Sequence, residues 1–477
     1  MILIHLISWE KIIRDKPMIV QKYGGTSVGT SERLISVAQI IEKACEKEPV
    51  LAVVSAMSSY VKSEGTTSRL LHAADCAIHQ EDFKPTLLQL RDFHINTVKE
   101  CIKDSNVHKS VQSYVERIFD KLKQFLEALT VIREFSSRSS DRILRVGEKL
   151  SASILAGVLK DRGLKGEYID LSNIAPEGYS KVSPKFFTAL ESNLLDLLSP
   201  VVKEKKVPVI TGFLGEIPGG IIESIGRGYT DYTSSLVAAV LKVRELQIWK
   251  EVDGIFTADP KLVDQAKVLA SITPQEAAEL TYFGSEVIHP FTMERVTRAN
   301  VPVRIKNTFR PNEPGTLITE QEIDRHVIKN ITAKKNITIL NIGSNRMLMA
   351  YGFMAKVFRV FEKYGVIIDL IATSEINISL TVEKSDRLGE LIEELEGLGD
   401  VTIYKDRAII SMVGQKMRLT TGISGKMFSC LSEEGINIEM ISQGASEINI
   451  SCVVENKDAD KAVQALHKRF INSDGLN

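Results

Sequence analysis

The hexamer Ser-Glu-Ile-Asn-Ile-Ser occurs twice in this chain, at 374–379 and again at 446–451. It belongs to a longer repeat in which 352–383 matches 422–455. The offset is 70 at Gly352/Gly422 and at Gly365/Gly435, and 72 at the hexamer, so the second copy carries two extra loop residues. Each copy reads helix, glycine stop, strand, loop, strand. A unit of roughly 70 residues with this pattern cannot bury both faces of its sheet alone. The two copies are therefore expected to pair.

The first two-thirds alternate strand and helix, which argues for an α/β layer around a mostly parallel sheet. Candidate strands are 18–23, 50–55, 167–171, 207–212 and 246–252. The stretch 32–47 has a helical period, with Leu34, Val37, Ala38, Ile41 and Cys45 on one face. The stretch 83–135 is polar and helical in pattern, and reads as a helical insertion rather than sheet. Thr273-Pro274-Gln275-Glu276 forms a capping box with proline at the first helical position. The helix it opens should stop at Gly284.

The strand Met18–Gln21 breaks into Lys22-Tyr23-Gly24-Gly25-Thr26-Ser27-Val28-Gly29, and a helix follows near Thr30 or Ser31. Backbone N–H groups, two hydroxyls and a lysine meet there. Small residues let the backbone approach an anion, and a helix N-terminus favours negative charge, so this is a phosphate cradle. It is not a Walker A loop, because no Gly-x-x-x-x-Gly-Lys-Ser/Thr occurs in the chain.

The net charge of −1 supplies no bulk field toward nucleic acid or an anionic membrane. The length, 477 residues, allows two to four domains. Cys45, Cys76, Cys101, Cys430 and Cys452 show no C-x-x-C pairing and no metal spacing, and read as reduced thiols of a cytoplasmic protein. The eight histidines do not cluster as metal ligands. His289, before Pro290, reads as structural. Residues 1–17 open without a basic region and no small-residue cleavage site follows, so they read as an amphipathic extension or a frayed tail rather than a signal peptide, with a cryptic organelle signal as the alternative. No apolar run approaches the roughly 20 residues that span a bilayer.

Several motifs together carry a family resemblance: KYGGTSVG at 22–29, SAMSS at 55–59, GEKLSA at 147–152, TGFLG at 211–215, GRGYTD at 226–231, VDGIFTADP at 252–260 and HPFT at 289–292. With the paired repeats, the chain resembles the aspartate kinases of the amino-acid kinase superfamily, which carry two C-terminal ACT domains. It looks most similar to fungal-type enzymes through 58–71, 246–260 and 436–454. The resemblance implies an α/β amino-acid kinase fold followed by two ACT-type βαββαβ domains. The implied division is an extension at 1–17, a catalytic domain at 18–325 with its insertion at about 78–135, and ACT domains at 335–405 and 406–477.

The implied reaction moves the γ-phosphoryl group of ATP, with Mg²⁺, to the β-carboxylate of L-aspartate. A carboxylate of pKa about 3.9 is already ionised at neutral pH and needs no general base. It needs cancellation of anionic repulsion and in-line positioning. By resemblance Lys22 contacts the transferring phosphate, with Gly24, Gly25, Thr26 and Ser27 lining the cradle. Glu148 resembles the group that holds the aspartate ammonium, and Arg227 the guanidinium that grips its α-carboxylate. Ser55 and Thr67 resemble hydroxyls near the substrate, although buried turn hydroxyls read the same way. Asp231 resembles the carboxylate that orients the phosphate-binding cation. Read alone it would be a helix N-cap, and the two roles can coexist.

The nucleotide is expected along 250–261 and at Val287, with Lys250, Glu251, Phe256 and Lys261 as contacts. The chain departs from the family pattern here: Lys250-Glu251 stands where Thr-Asp is common, Phe256 where tyrosine is, and Lys261 where arginine is. Glu286 replaces a lysine. Either Lys250 restores the lost charge near the phosphates, or Lys250 and Glu286 form a salt bridge outside the site.

The ACT pair implies an end-product effector, with Met354, Asp369, Ser374 and Glu375 as contacts in the first copy. Asn437, Glu439 and Gln443 are the polar candidates in the second copy, which could instead serve only to build the dimer. The fungal-type resemblance favours threonine over lysine as effector, and implies a homodimer or homotetramer through the ACT domains. The enzyme would open the threonine, methionine, lysine and isoleucine pathway. No fused homoserine dehydrogenase is expected. Competing readings are a glutamate or acetylglutamate kinase, which GEKLSA, GRGYTD and the repeats oppose, and a non-catalytic amino-acid sensor with a decayed kinase domain.

Overall fold

The computed structural model describes residues 18–204, 206–226, 228–282, 288, 290–321, 326–343, 352–444 and 448–472. The chain divides into two units, Met1–Gly254 with Ile288–Thr319, and Ile255–Val287 with Glu320–Asn477.

In the first unit the elements run β1 (Ile19–Tyr23), α1 (Ser31–Cys45), β2 (Val50–Val54), α2 (Thr66–Ile78), α3 (Lys84–Cys101), α4 (Ser105–Ile132), α5 (Ser137–Asp161), β3 (Gly166–Ile169), α6 (Pro184–Lys203), β4 (Val207–Thr211), α7 (Tyr229–Val240), β5 (Glu245–Lys250), α8 (Pro290–Arg298), β6 (Val303–Asn307) and β7 (Thr316–Ile318). The strands lie in the order β3–β4–β2–β1–β5–β6–β7. All neighbours are parallel except β6 and β7. Strands covered on both faces read as continuous apolar runs, as in Val50–Val54 and Val207–Thr211, where every residue is buried.

The five candidate strands are therefore present, with ends shifted by one or two residues. The first helix starts at Ser31, where the Thr30 hydroxyl accepts the Arg33 N–H at 3.4 Å. The stretch 83–135 is helical, as α3 and α4. It is also part of the main core: Leu87, Leu90, Val98, Val115, Phe119 and Leu126 pack in one cluster with Ile19, Tyr23 and Val54. His94 is buried within it, with Nδ1 2.7 Å from the Leu90 carbonyl oxygen, and burial pushes its pKa down to about 4.

In the second unit the capping box forms as the sequence requires. The Thr273 N–H donates to Glu276 Oε2 at 2.9 Å, and the Glu276 N–H donates to Thr273 Oγ1 at 3.2 Å. The helix covers Pro274–Tyr282; Gly284, its expected stop, lies outside the described residues. Then follow β8 (Asn330–Gly343), α9 (Phe353–Tyr364), β9 (Ile368–Thr373), β10 (Asn377–Val382), α10 (Leu388–Glu396), β11 (Asp400–Val413), α11 (Ile423–Glu433), β12 (Met440–Ser442), β13 (Asn449–Glu455) and α12 (Ala459–His467). They build one sheet in the order β9–β10–β8–β11–β13–β12.

The expected pairing of the repeats is achieved by two long strands. β8 and β11 run antiparallel from Asp400↔Gly343 to Val413↔Asn330. The end of β8 also pairs with β10, and the end of β11 with β13. Each half thus contains part of both long strands. Leu340, Ile342, Val401 and Ile403 pack with α9 and α10 in one core. Ile331, Ala408, Ile410 and Met412 pack with α11 and α12 in another. On the opposite face, Leu370 and Met440, one from each edge strand, pack with Ile337, Ile339, Ile409 and Val453.

Among the described residues no helix is long and apolar enough to cross a membrane.

Candidate active site

In an open parallel sheet, ligands bind outside the carboxyl ends of the strands. Four such ends lie in the first unit: Lys22 at the end of β1 with Gly24 and Gly25 after it, Ser55 after β2, Gly212 after β4 and Lys250 at the end of β5. The chain after β1 packs tightly against the loop after β2. The Ser55 N–H donates to the Tyr23 carbonyl at 3.1 Å, and the Ser58 N–H to the Gly25 carbonyl at 3.0 Å. A Cβ on Gly25 would stand 2.5 Å from the Ala56 oxygen, so no side chain fits there. Thr26–Val28 form one 3₁₀ turn capped by Gly25, and the Ser27 hydroxyl lies 2.9 Å from Thr308 Oγ1.

Lys22 is buried at the end of β1, and its Nζ lies 2.6 Å from Asp231 Oδ1. Asp231 is the third residue of α7, whose N-cap is Gly228. The N-cap reading of Asp231 is thus corrected: its carboxylate meets Lys22 from the first turn, where the helix dipole also favours its charge. Two residues earlier, the Tyr229 hydroxyl donates to Glu148 Oε1 at 2.7 Å. Glu148 lies in α5 and is 1% exposed. Its second oxygen, Oε2, is buried and makes no hydrogen bond. Burial raises the Glu148 pKa to about 7, with the Tyr229 hydroxyl and nearby backbone N–H groups opposing the rise.

Ser55 is half-buried, and its carbonyl accepts from the Ser151 hydroxyl at 2.8 Å, which ties it to the helix that bears Glu148. Thr67 is half-buried in the first turn of α2. Lys250 ends β5, and its carbonyl accepts from the Thr308 N–H at 2.9 Å. Glu251 is exposed, with its carbonyl 3.4 Å from Asn307 Nδ2. Phe256 and Lys261 belong to the second unit. Phe256 bridges to Val268, and the Lys261 N–H donates to Asp259 Oδ1 at 2.9 Å. Arg227, Glu286, Val287 and His289 lie outside the described residues.

Three residues that carry this geometry were not singled out from sequence. Tyr229 stands inside GRGYTD, but its partner is 81 positions away. Asp253 accepts from Asn307 Nδ2 at 2.8 Å and pairs with Arg310, and Asn307 Oδ1 accepts from the Phe309 N–H at 2.8 Å. Together they brace the chain after β5 against the chain after β6.

In the second unit, Asp369 is almost fully buried and pairs with Lys334 at 2.7 Å; Lys334 also reaches Glu383 at 2.5 Å. Met354 is half-buried at the rim of the first-half core. Ser374 and Glu375 are exposed, and Ser374 Oγ accepts from the Asn377 N–H at 3.2 Å. In the other half Glu439 pairs with Arg407 at 2.6 Å, Gln443 Oε1 accepts from the Ser424 hydroxyl at 2.8 Å, and Asn437 is exposed.

Residues 17–307 match the amino acid kinase family, and residues 340–388 and 410–470 match the ACT domain. The chain is 42% identical to the aspartokinase of Saccharomyces cerevisiae over 95% of its own length and 93% of the yeast chain. It is 42% identical to that of Schizosaccharomyces pombe over 96% and 93%. Among solved structures, Escherichia coli aspartokinase III in complex with aspartate and ADP superimposes with a TM-score of 0.77 at 27% identity, covering 96% of this chain and 100% of that one. On these grounds the chain belongs to the aspartokinases, amino-acid kinases that carry ACT domains.

Proposed function

We propose that this aspartate kinase transfers the γ-phosphoryl group of ATP to the β-carboxylate of L-aspartate, giving 4-phospho-L-aspartate, at the ends of β1, β2, β4 and β5. The observation that carries the reading is the pairing of two buried charges at the start of α7. Lys22, held by Asp231 beside Gly24 and Gly25, supplies a fixed cation where two anions must meet. Glu148 offers a buried oxygen without a partner, and an α-ammonium would satisfy it. Ser55 and Thr67 serve the amino-acid side and Thr26, Ser27, Lys250 and Glu251 the nucleotide side; the roles of Arg227, Phe256, Lys261 and Val287 rest on the family resemblance. The related Escherichia coli enzyme is solved with aspartate and ADP, which supports the same ligand pair here.

Magnesium fits as an ion that arrives on the nucleotide and keeps most of its waters. Among the described residues no group of three or more His, Cys, Asp or Glu side chains could cage it. Its chemistry would be charge neutralisation on the phosphates.

The ACT pair takes an end-product amino acid, threonine in preference to lysine, near Met354, Asp369, Ser374 and Glu375. The chain works as a homodimer or homotetramer in the cytoplasm, at the head of the threonine, methionine, lysine and isoleucine pathway. ATP-dependent hydroxamate formation from aspartate tests the chemistry, because hydroxylamine traps an acyl phosphate. Millimolar threonine should suppress it. Suppression by lysine alone would overturn the effector, and no hydroxamate from folded protein would overturn the reaction.

A further inference from the structure

The first unit contains a cavity of about 750 Å³ on the face of the sheet behind the cradle. Its floor is Ile19 and Gln21 of β1, Gln247 and Trp249 of β5, and Lys306 of β6; one wall is α1 and another is the chain at 308–312. Register and strand alternation separate it from the phosphate cradle. Tyr23 lies opposite Trp249, and Trp249 opposite Lys306, whereas Lys22 lies opposite Ile248. Successive side chains point to opposite faces of a sheet, so Trp249 and Lys306 share one face and Lys22 takes the other.

The cavity is cationic. Lys43, Lys47, Arg244 and Lys306 line it, and Glu48 is the carboxylate among its lining residues. Glu48 is taken by Arg244, with contacts at 2.6 and 2.9 Å. Three lysines are left without an opposing carboxylate in the lining. Lys306 Nζ stands 5.1 Å from the centre of the Trp249 ring and donates to the Glu313 carbonyl at 2.7 Å. Lys43 Nζ donates to Asn312 Oδ1 at 3.1 Å. Burial and the neighbouring charges of Arg304 and Lys43 lower the Lys306 pKa, against the opposing pull of Glu245 and Glu313. Lys43 and Lys47 are exposed and Lys306 is half-buried, and a multivalent anion would meet all three charges at once.

Trp249 forms part of the cavity floor and is 3% exposed, so its ring reports on what the cavity holds. A volume of this size is in the range of small-molecule sites.

We propose that this cavity binds a small polyanion, a metabolite bearing phosphate or several carboxylates, held by Lys43, Lys47 and Lys306. Thr308 lines the same cavity and its hydroxyl lies 2.9 Å from Ser27 Oγ, so the bound anion sits one hydrogen bond behind the cradle.

The chain has two tryptophans, so Trp9→Phe leaves Trp249 as the lone indole reporter. In that background, titration with pyrophosphate and with citrate should change Trp249 emission saturably. The stronger of the two names the ligand class. The response should survive Lys22→Ala, which disables the cradle, and should weaken at least tenfold in Lys43→Gln/Lys306→Gln. A Lys47→Gln variant, on the exposed rim, gives a second measure should the double variant fold poorly. A response lost with Lys22→Ala would place the anion in the cradle and overturn the proposal. So would a response unchanged by the substitutions at Lys43, Lys47 and Lys306, or no response to either probe.

Discussion

Tyr229 Oη lies 2.7 Å from Glu148 Oε1, and two residues on, Asp231 holds Lys22 at 2.6 Å. One helical turn therefore fixes both the carboxylate offered to the amino acid and the cation offered to the phosphate. Tyr229 touches neither substrate in this reading; it is a positioning residue. Tyr229→Phe should raise the aspartate KM with a smaller effect on kcat. It also removes a donor that lowers the Glu148 pKa. The acidic limb of the kcat/KM profile should move to higher pH, a shift that a merely structural role would not produce.

Glu148 supplies a pH prediction with a definite sign. Its folded-state pKa, about 7, is above the ordinary 4.5 because of burial. The native protein thus holds this proton to higher pH than the unfolded chain does, and stability falls as pH rises between those two values. Glu148→Gln removes that cost. The Tm of the variant relative to the parent should climb from pH 5 to pH 8, while aspartate affinity is lost at every pH. A constant Tm difference across that range would contradict the assignment. In the parent, the aspartate KM should rise as pH drops below 7, because an ammonium needs the ionised carboxylate.

Gly25 has no room for a methyl group, since a Cβ would meet the Ala56 carbonyl oxygen at 2.5 Å and Ser58 Cβ at 2.9 Å. Backbone must move to admit it. Gly25→Ala should shift the cradle against Lys22 and lower kcat by about 10²-fold, the scale expected for a displacement of about 1 Å. Steady-state kinetics with circular dichroism as a folding control would show it.

Glu276 does two jobs from one buried side chain. Oε2 closes the capping box on Thr273, and Oε1 accepts the Gln415 N–H at 2.8 Å. Glu276→Ala leaves both N–H groups without their acceptor and should destabilise the second unit by about 2–3 kcal/mol. Urea unfolding followed by a probe in the ACT region would measure the loss.

Much of this architecture is legible in the sequence because local rules agree with the fold. The apolar runs at 50–54 and 207–211, the capping box at Thr273 and the repeated glycines at 365 and 435 each specify their element by short-range chemistry. The Lys22 motif is legible because its members are contiguous. What escaped was set by distance along the chain. The partner of Glu148 is on another helix, Asn307 reaches Asp253 across 54 positions, and the lysines behind the cradle converge only when α1 and β6 flank the same stretch of sheet. The helical stretch 83–135 looked peripheral because its outer face is polar; its inner face completes the main core.

The shared strands of the second unit have a consequence for the order of synthesis. The first residues of β8 leave the ribosome before any of the first repeat, yet their register partners, such as Val413 for Asn330, come after all of it. That segment, with Ile331 destined for the far core, waits unpaired while a whole repeat is made. Non-local pairing of this kind is slow and leaves a strand edge open to wrong partners. A chain halted between the repeats would hold one finished half and one orphaned edge.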